Sequence, residues 1–427
     1  MKKVFSKIKN VWSRDFSLLL TAQVLEQLAD CVAWMGIVAI VLTKTPGSAF
    51  SMSMLMFWLV FPMILFGHLS GVYVDRWNKR WTMILANVIR AGITILLITD
   101  AVHEIPIFAI YIFIFIFSFI TQFFIPAKSS IIPKIVSTEN LIFANSFSTS
   151  LTLIMILMGT AIGSIFVAHV GIAQSFMFSI VLFVLSALSI GFIKCQETIK
   201  TTDKAEVTTG VLTELIDGIK IILQIPMVNF VVKRILILMA VIGAFYVELI
   251  VYCDTLTNGE KLMKNIEALG YLQLAFGVGI MLGPVILGIL EKKLSKIDLI
   301  EAGFLFVGFA TCIFALNESF TYALIMAPFI GIGIAVVMIL VETTLQMVVP
   351  PNAIGRVFSS MLSIRNTAFI LVALVIGIAE GFIKPKFTHP FVITREQIIF
   401  FISGLFLVVY GLTAKMAKVY IKKGEQV

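Results

Sequence analysis

Twelve long apolar runs constrain this chain more than any other feature of its sequence. A bilayer core of roughly 30 Å is crossed by about 20 mostly apolar residues in a helix. Runs of that length lie near 16–42, 49–72, 81–99, 105–125, 141–168 and 172–193, and then near 227–253, 266–290, 298–316, 320–347, 355–382 and 397–414. Only 13% of the residues are charged, whereas soluble domains carry about 25%. The sequence therefore predicts an all-α membrane protein with twelve transmembrane helices, numbered here as spans 1–12.

A polar segment at 194–226 separates the runs into two groups of six. Its first part is rich in Lys, Thr and Glu, and Leu212, Leu215 and Ile219 then recur at helical spacing before Pro226. This pattern predicts a cytoplasmic linker with an amphipathic helix on the inner membrane surface. The predicted domains are an N-terminal six-helix half at 1–193, the linker at 194–226, and a C-terminal six-helix half at 227–427. Such an arrangement is typical of a duplicated unit.

The distribution of Lys and Arg predicts the orientation. With the N-terminus inside, the inner segments hold 22 of the 32 basic residues and the outer loops hold six. Because cytoplasmic loops of membrane proteins carry the excess of Lys and Arg, both termini are expected in the cytoplasm, in the plasma membrane of a bacterium. The net charge of +8 is thereby explained as a topology signal, and no nucleic-acid partner is expected. The four cysteines lie far apart, which predicts neither a disulfide framework nor a metal site.

The residues between spans 2 and 3 carry a distinctive pattern, Gly-x-x-x-Asp-Arg-x-x-Lys-Arg. It consists of Gly71, Asp75, Arg76, Lys79 and Arg80. With the segments 124–145 and 345–359, it resembles the major facilitator superfamily, and in particular a bacterial branch that includes macrolide-efflux and siderophore-export permeases. Asn78 stands where that family usually has Gly.

The resemblance implies a specific role for this pattern. In the family, the Gly lets helices approach closely, and the Asp and basic residues latch the two halves together on the cytoplasmic side. Here Asp75 is expected to face the positive end of the helix that begins after Arg356. The alternative is a solvated basic turn that only sets topology.

A second family motif is incomplete. Drug antiporters of the family often carry Gly-Pro-x-x-Gly-Gly in span 5, and this chain has Gly159-Thr160-Ala161-Ile162-Gly163-Ser164 instead. The Pro and the last Gly are missing. The remaining Gly-x-x-x-Gly spacing favours close helix packing.

Charged and polar residues within the spans are the candidate functional groups. A charge at the centre of a spanning helix costs about 2.5–3.5 kcal/mol even on the mildest scale, so such residues face the bundle interior or a wet cavity. In span 1, one helical face carries Gln23, Glu26, Gln27, Asp30 and Trp34. Further candidates, in spans 3, 7, 10 and 11, are Arg90, Glu248, Glu342 and Arg365.

These residues have two interpretations, a structural ion pair or a site for proton coupling and substrate. For the two acids of span 1 the coupling hypothesis makes the deeper Asp30 the proton carrier and Glu26 a substrate or relay partner. For Arg90 a structural ion pair is the equal alternative.

The resulting functional prediction is a secondary active exporter of hydrophobic or amphipathic small molecules. We expect a drug-efflux antiporter, associated with drug resistance, that is proton-coupled and works by alternating access as a monomer. Its expected partners are the small-molecule substrate, protons and the lipid bilayer. The alternatives are a lipid, lysolipid or siderophore translocator of the same fold and, in another class, a non-transporting membrane sensor or scaffold.

An enzyme is not predicted. The polar loops are short and hold no clustered His, Cys or carboxylates of catalytic type. No Gly-x-x-x-x-Gly-Lys-Ser/Thr loop for a nucleotide occurs, and no cofactor is expected.

Overall fold

The chain forms helices throughout the part that the structure, a computed structural model, describes. These residues are 12–98, 105–137, 140–194, 207–257, 262–291, 294–316, 319–350, 353–379 and 394–412. Their helices are α1 (Arg14–Lys44), α2 (Ala49–Arg76), α3 (Lys79–Ile98), α4 (Ile107–Ile135), α5 (Leu141–Val170), α6 (Ile172–Gly191), α7 (Val207–Gln224), α8 (Pro226–Leu256), α9 (Leu262–Leu290), α10 (Lys296–Phe314), α11 (Phe320–Val348), α12 (Ile354–Ala379) and α13 (Arg395–Leu412).

Helix α7 lies in the segment predicted as a linker, and each of the other twelve is long and apolar enough to cross a membrane. A helix hydrogen-bonds its interior backbone N–H and C=O groups to one another, and this is necessary in the bilayer core because lipid tails offer no hydrogen-bond partners. The predicted all-α fold with twelve transmembrane helices is confirmed.

The helices form two compact units. The first comprises the residues up to Lys44 together with Trp58–Val207, and the second comprises Thr45–Phe57 and the residues from Thr208 onward. Helix α2 therefore contributes its first turns to the second unit and the rest to the first. The predicted division into six-helix halves at 1–193 and 227–427 stays a prediction.

In the first unit, α1 is the central helix. It packs against α5 and α6, and α3 packs against α4 and α6. Two glycines allow the contact with α5, because a Cβ at Gly159 would lie 2.8 Å from Cys31 Sγ and one at Gly163 would lie 2.9 Å from the Cys31 carbonyl oxygen. Close helix packing is thus what the incomplete motif provides, one residue from Asp30.

In the second unit, α9 packs against α11, α10 against α11 and α13, and α8 against α12. Aromatic rings fill the space between α8, α10 and α13, where Phe245, Phe314 and Phe400 lie with centroids 4.7–5.5 Å apart. Such contacts add to the apolar burial of the rings. Helix α7 packs on the start of α12, where Ser360 Oγ donates to the Leu215 carbonyl oxygen at 3.0 Å.

The helices extend further than the apolar runs indicate. Helix α2 reaches Arg76 and α3 begins at Lys79, so only a turn of two residues separates them where the apolar runs leave the interval 73–80. Asn78 caps α3, since its Oδ1 accepts from the Trp81 backbone N–H at 2.9 Å. Helix α4 likewise continues through Pro126 to Ile135. Hydropathy marks where the bilayer ends, whereas a helix ends where its backbone hydrogen bonds end.

Candidate functional site

A fully buried arginine joins α3 to α1 inside the first unit. Arg90 is 0% exposed, and its Nη1 donates to Glu26 Oε1 and to both carboxylate oxygens of Asp30, each at 2.8 Å. Its Nη2 donates to Asn87 Oδ1 at 2.6 Å. We call Glu26, Asp30, Asn87 and Arg90 the acid–arginine cluster.

Helical spacing explains why these four side chains meet. Glu26 and Asp30 are four residues apart on α1, and Asn87 and Arg90 are three apart on α3, so each pair lies on one face of its helix. Helix α6 holds the two helices together, because Asn87 Nδ2 donates to Ser186 Oγ at 2.9 Å and Ser186 Oγ donates to a carbonyl oxygen of α1 at 2.8 Å. The cluster is therefore held by three helices.

The donors and acceptors of the cluster do not match one to one. Nη1 carries two hydrogens, yet three carboxylate oxygens lie at 2.8 Å from it. The two acids therefore compete for the same donor.

Aromatic rings surround the guanidinium group. Its carbon lies 4.9 Å from the ring centroid of Phe183, 5.1 Å from that of Phe124 and 5.9 Å from that of Phe117. Cation–π attraction at such desolvated sites reaches about 2 kcal/mol. Nε of Arg90 has no hydrogen-bond partner among the described residues. The rings exclude water from the positive side of the cluster.

Gln23, one turn from Glu26, joins α1 to α5. Its Nε2 donates to the Ser148 carbonyl oxygen at 2.8 Å and to Thr152 Oγ1 at 2.7 Å. Gln27 and Trp34, on the same stripe of α1, are half-buried.

Lys128 is a functional candidate that the sequence analysis missed, because it lies beyond the apolar run at 105–125. It lies within α4, where its Nζ donates to Thr152 Oγ1 at 3.4 Å. It also interacts electrostatically with Glu26. Thr121, Phe124 and Lys128 share one helical face at spacings of three and four, and this stripe is the signal that could have found it.

The candidates of the second unit form separate ion pairs. Arg395 Nη2 lies 3.3 Å from Glu248 Oε2, and Glu248 is 0% exposed. Arg365 Nη1 lies 3.9 Å from Glu342 Oε1, and the Glu342 side chain is 45% exposed. Arg395 is the first residue of α13. Neither pair belongs to the acid–arginine cluster.

The residues of the predicted latch are only partly visible. Gly71 and Asp75 belong to α2, but the Asp75 side chain lies outside the described part of the structure, so the latch stays a prediction. Lys79 is buried, and Arg80 Nη2 donates to the Gly191 carbonyl oxygen at the end of α6. Arg76 is half-buried at the end of α2.

Arg356, the predicted partner of the latch, contacts the linker helix in this structure. Its Nη1 lies 3.9 Å from Asp217 Oδ2 on α7. The contact lies within the second unit.

Comparison with known proteins gives this architecture a family. The chain matches the Major Facilitator Superfamily over residues 19–373. It is 23% identical over 371 residues to macrolide efflux protein A of Streptococcus pyogenes, covering 84% of this chain and 87% of that protein. It is 22% identical over 405 residues to the uncharacterized MFS-type transporter YfiS of Bacillus subtilis (strain 168), covering 94% of this chain and 92% of that protein.

Solved structures are similar in fold. A bacterial homolog of the human lysosomal transporter Spinster, in an inward-facing and unoccupied conformation, superposes with a TM-score of 0.71 at 15% identity and covers 96% of this chain and 98% of its own. The nucleoside transporter NupG superposes with a TM-score of 0.67 at 15% identity, covering 94% and 98%. At these identities the likeness concerns the fold alone.

Proposed function

The chain belongs to the major facilitator superfamily, and on that premise we propose that it exports hydrophobic or amphipathic small molecules in exchange for protons. It is a multi-pass membrane transporter. The proposed direction and substrate class are supported by its similarity to macrolide efflux proteins. The proposed coupling rests on one observation, the sharing of the buried Arg90 by two acids.

The proposed mechanism uses the competition for Nη1. When Asp30 takes up a proton, Arg90 is left to Glu26, and when Asp30 is ionised the two acids share the arginine. Asp30 is the better candidate for the carrier because its side chain is 15% exposed, against 6% for Glu26. A cationic or polar substrate group that approached the acids would compete with Arg90 in the same way, and this links substrate binding to proton release.

The alternatives share much of this chemistry. A lipid, lysolipid or siderophore translocator would use the same fold, and a substrate panel separates it from a drug exporter. A non-transporting sensor or scaffold would move no substrate at all. The coupling proposal is therefore tested by transport itself.

The experiment uses inside-out vesicles with a dye and drug panel, with and without a pH gradient. Asp30→Asn is expected to abolish transport driven by the pH gradient and to retain downhill substrate exchange, because exchange needs binding and rocking but no net proton release. Asp15→Asn is the matched control, since Asp15 lies in the first turn of the same helix, outside the cluster. If Asp30→Asn and Glu26→Gln, singly and together, still concentrate substrate, the coupling proposal is wrong.

The proposed orientation of the protein in the membrane rests on the basic residues of the loops. Reporter fusions near Lys204 are expected to report the cytoplasm, and fusions near 168–171 the exterior. Finding both reporters on the same side would overturn the proposed topology.

A further inference from the structure

A groove opens on the first unit between the end of α2, the exposed face of α3 and the middle of α4. Its volume is about 700 Å³, and all its lining residues belong to the first unit. Trp81, Leu85 and Ile89 lie at spacings of four on α3 and are 65%, 58% and 39% exposed. The same helix turns its opposite face, with Asn87 and Arg90, into the core. The groove is thus separate from the acid–arginine cluster.

The polar lining is confined to one end of the groove. Arg76, Asn78 and Thr82 lie at the turn between α2 and α3. Asn78 Oδ1 accepts from the Trp81 backbone N–H at 2.9 Å, and Thr82 Oγ1 donates to the Asn78 carbonyl oxygen at 2.8 Å. Arg76 is the charged residue of the lining.

The remainder of the groove is apolar. From Thr82 to Ile89 the lining follows α3 for about 10 Å at 1.5 Å per residue. Phe119, Ile120 and Phe123 of α4 complete this part. A ligand that fits has one anionic end and a long apolar body.

Two exposed tryptophans place the charged end at the membrane surface. Trp77 is 46% exposed and stacks on Phe123, with ring centroids 5.5 Å apart, and Trp81 of α3 is 65% exposed. Tryptophan is enriched where the bilayer meets water. The groove therefore runs from the headgroup level into the acyl-chain region, and its occupant comes from the bilayer.

The charge selects among membrane lipids. With the orientation proposed above, the Arg76 end faces the cytoplasmic leaflet, which carries the anionic lipids. We propose that this groove binds one anionic phospholipid, with its phosphate on Arg76 and an acyl chain along Leu85 and Ile89. The proposal does not depend on what the protein transports.

The test measures quenching of the groove tryptophans by lipid. The full chain, with Trp12, Trp34 and Trp58 replaced by Phe, is placed in phosphatidylcholine nanodiscs. These contain equal mole fractions of either dibrominated phosphatidylglycerol or dibrominated phosphatidylcholine. The expected preference for phosphatidylglycerol is about fivefold, the ratio that corresponds to roughly 1 kcal/mol for one basic residue at an anionic surface.

Two variants of Arg76 and one control assign the preference. Arg76→Gln is expected to reduce the preference for phosphatidylglycerol over phosphatidylcholine to about one, while both lipids still quench the tryptophans. Arg76→Lys is expected to keep the preference, because it keeps the positive charge. Lys134→Gln removes an exposed cation at the end of α4, away from the groove, and is expected to change nothing. Counting the lipids that co-purify, by native mass spectrometry, provides a second readout for each protein.

Three outcomes would overturn the proposal. Equal quenching by the two lipids in the parent protein would show that the headgroup is not selected. A preference that survives Arg76→Gln would assign it to another cation. Absence of quenching by either lipid would show that protein, such as a second copy of the chain, covers the groove.

Discussion

Removing the positive charge of the acid–arginine cluster should destabilise the protein strongly. In Arg90→Gln, two carboxyl groups that are 6% and 15% exposed lose the donor that each contacts at 2.8 Å. Breaking a buried ion pair by removing one partner costs about 3–5 kcal/mol, because the remaining charge is left uncompensated. For a domain the size of the first unit, each kcal/mol lowers Tm by about 2–4 °C, so the apparent Tm should fall by roughly 6–20 °C.

The loss of Tm in Arg90→Gln should come from the uncompensated charges of Glu26 and Asp30, not from the missing contacts of Arg90. The triple variant Glu26→Gln, Asp30→Asn, Arg90→Gln replaces the whole ionic group by neutral amides of similar shape. Replacing a complete buried ion pair is often nearly neutral. We therefore expect the triple variant to recover most of the Tm that Arg90→Gln loses.

The assay is thermal unfolding in detergent, followed with a thiol-reactive fluorophore. Cys31 and Cys253 are buried and not in disulfides, one in each unit, so labelling of these two thiols reports their exposure. Arg365→Gln is the matched control and should lower Tm less, since its contact with Glu342 is longer, at 3.9 Å, and the two side chains are 19% and 45% exposed. A triple variant no more stable than Arg90→Gln would refute the reasoning.

Three further changes have defined outcomes. Gly163→Val should lower the apparent Tm, because its Cβ would meet the α1 backbone and overpacking costs about 1–3 kcal/mol. Gly92→Val should lower the apparent Tm less, because nothing lies within 4 Å of a Cβ at Gly92. Equal losses of Tm would contradict the packing argument. Lys128→Gln removes a cation that interacts with Glu26 and should change the pH profile of transport in vesicles, whereas Lys134→Gln should not. Superimposable profiles would remove Lys128 from the site. Asp75→Asn should reduce transport while membrane abundance and substrate affinity stay the same, and unchanged transport would leave that loop a topology signal.

The sequence by itself determined the spans and the face of α1 that carries the polar stripe. The bilayer thickness sets the length of each apolar run, and the helical period sets which residues share a face. Both rules are local, so no contact between distant residues is needed to apply them. The same local rules placed Glu26 and Asp30 together.

The tertiary structure decided which charges meet. Arg90 lies 60 residues after Asp30, and its ion-pair partner was left unnamed by the sequence pattern. Only the packing of α1, α3 and α6 brings Arg90 to the two acids of α1. Helix α4 likewise carries Lys128 beyond the apolar run, because backbone hydrogen bonds continue where hydropathy stops.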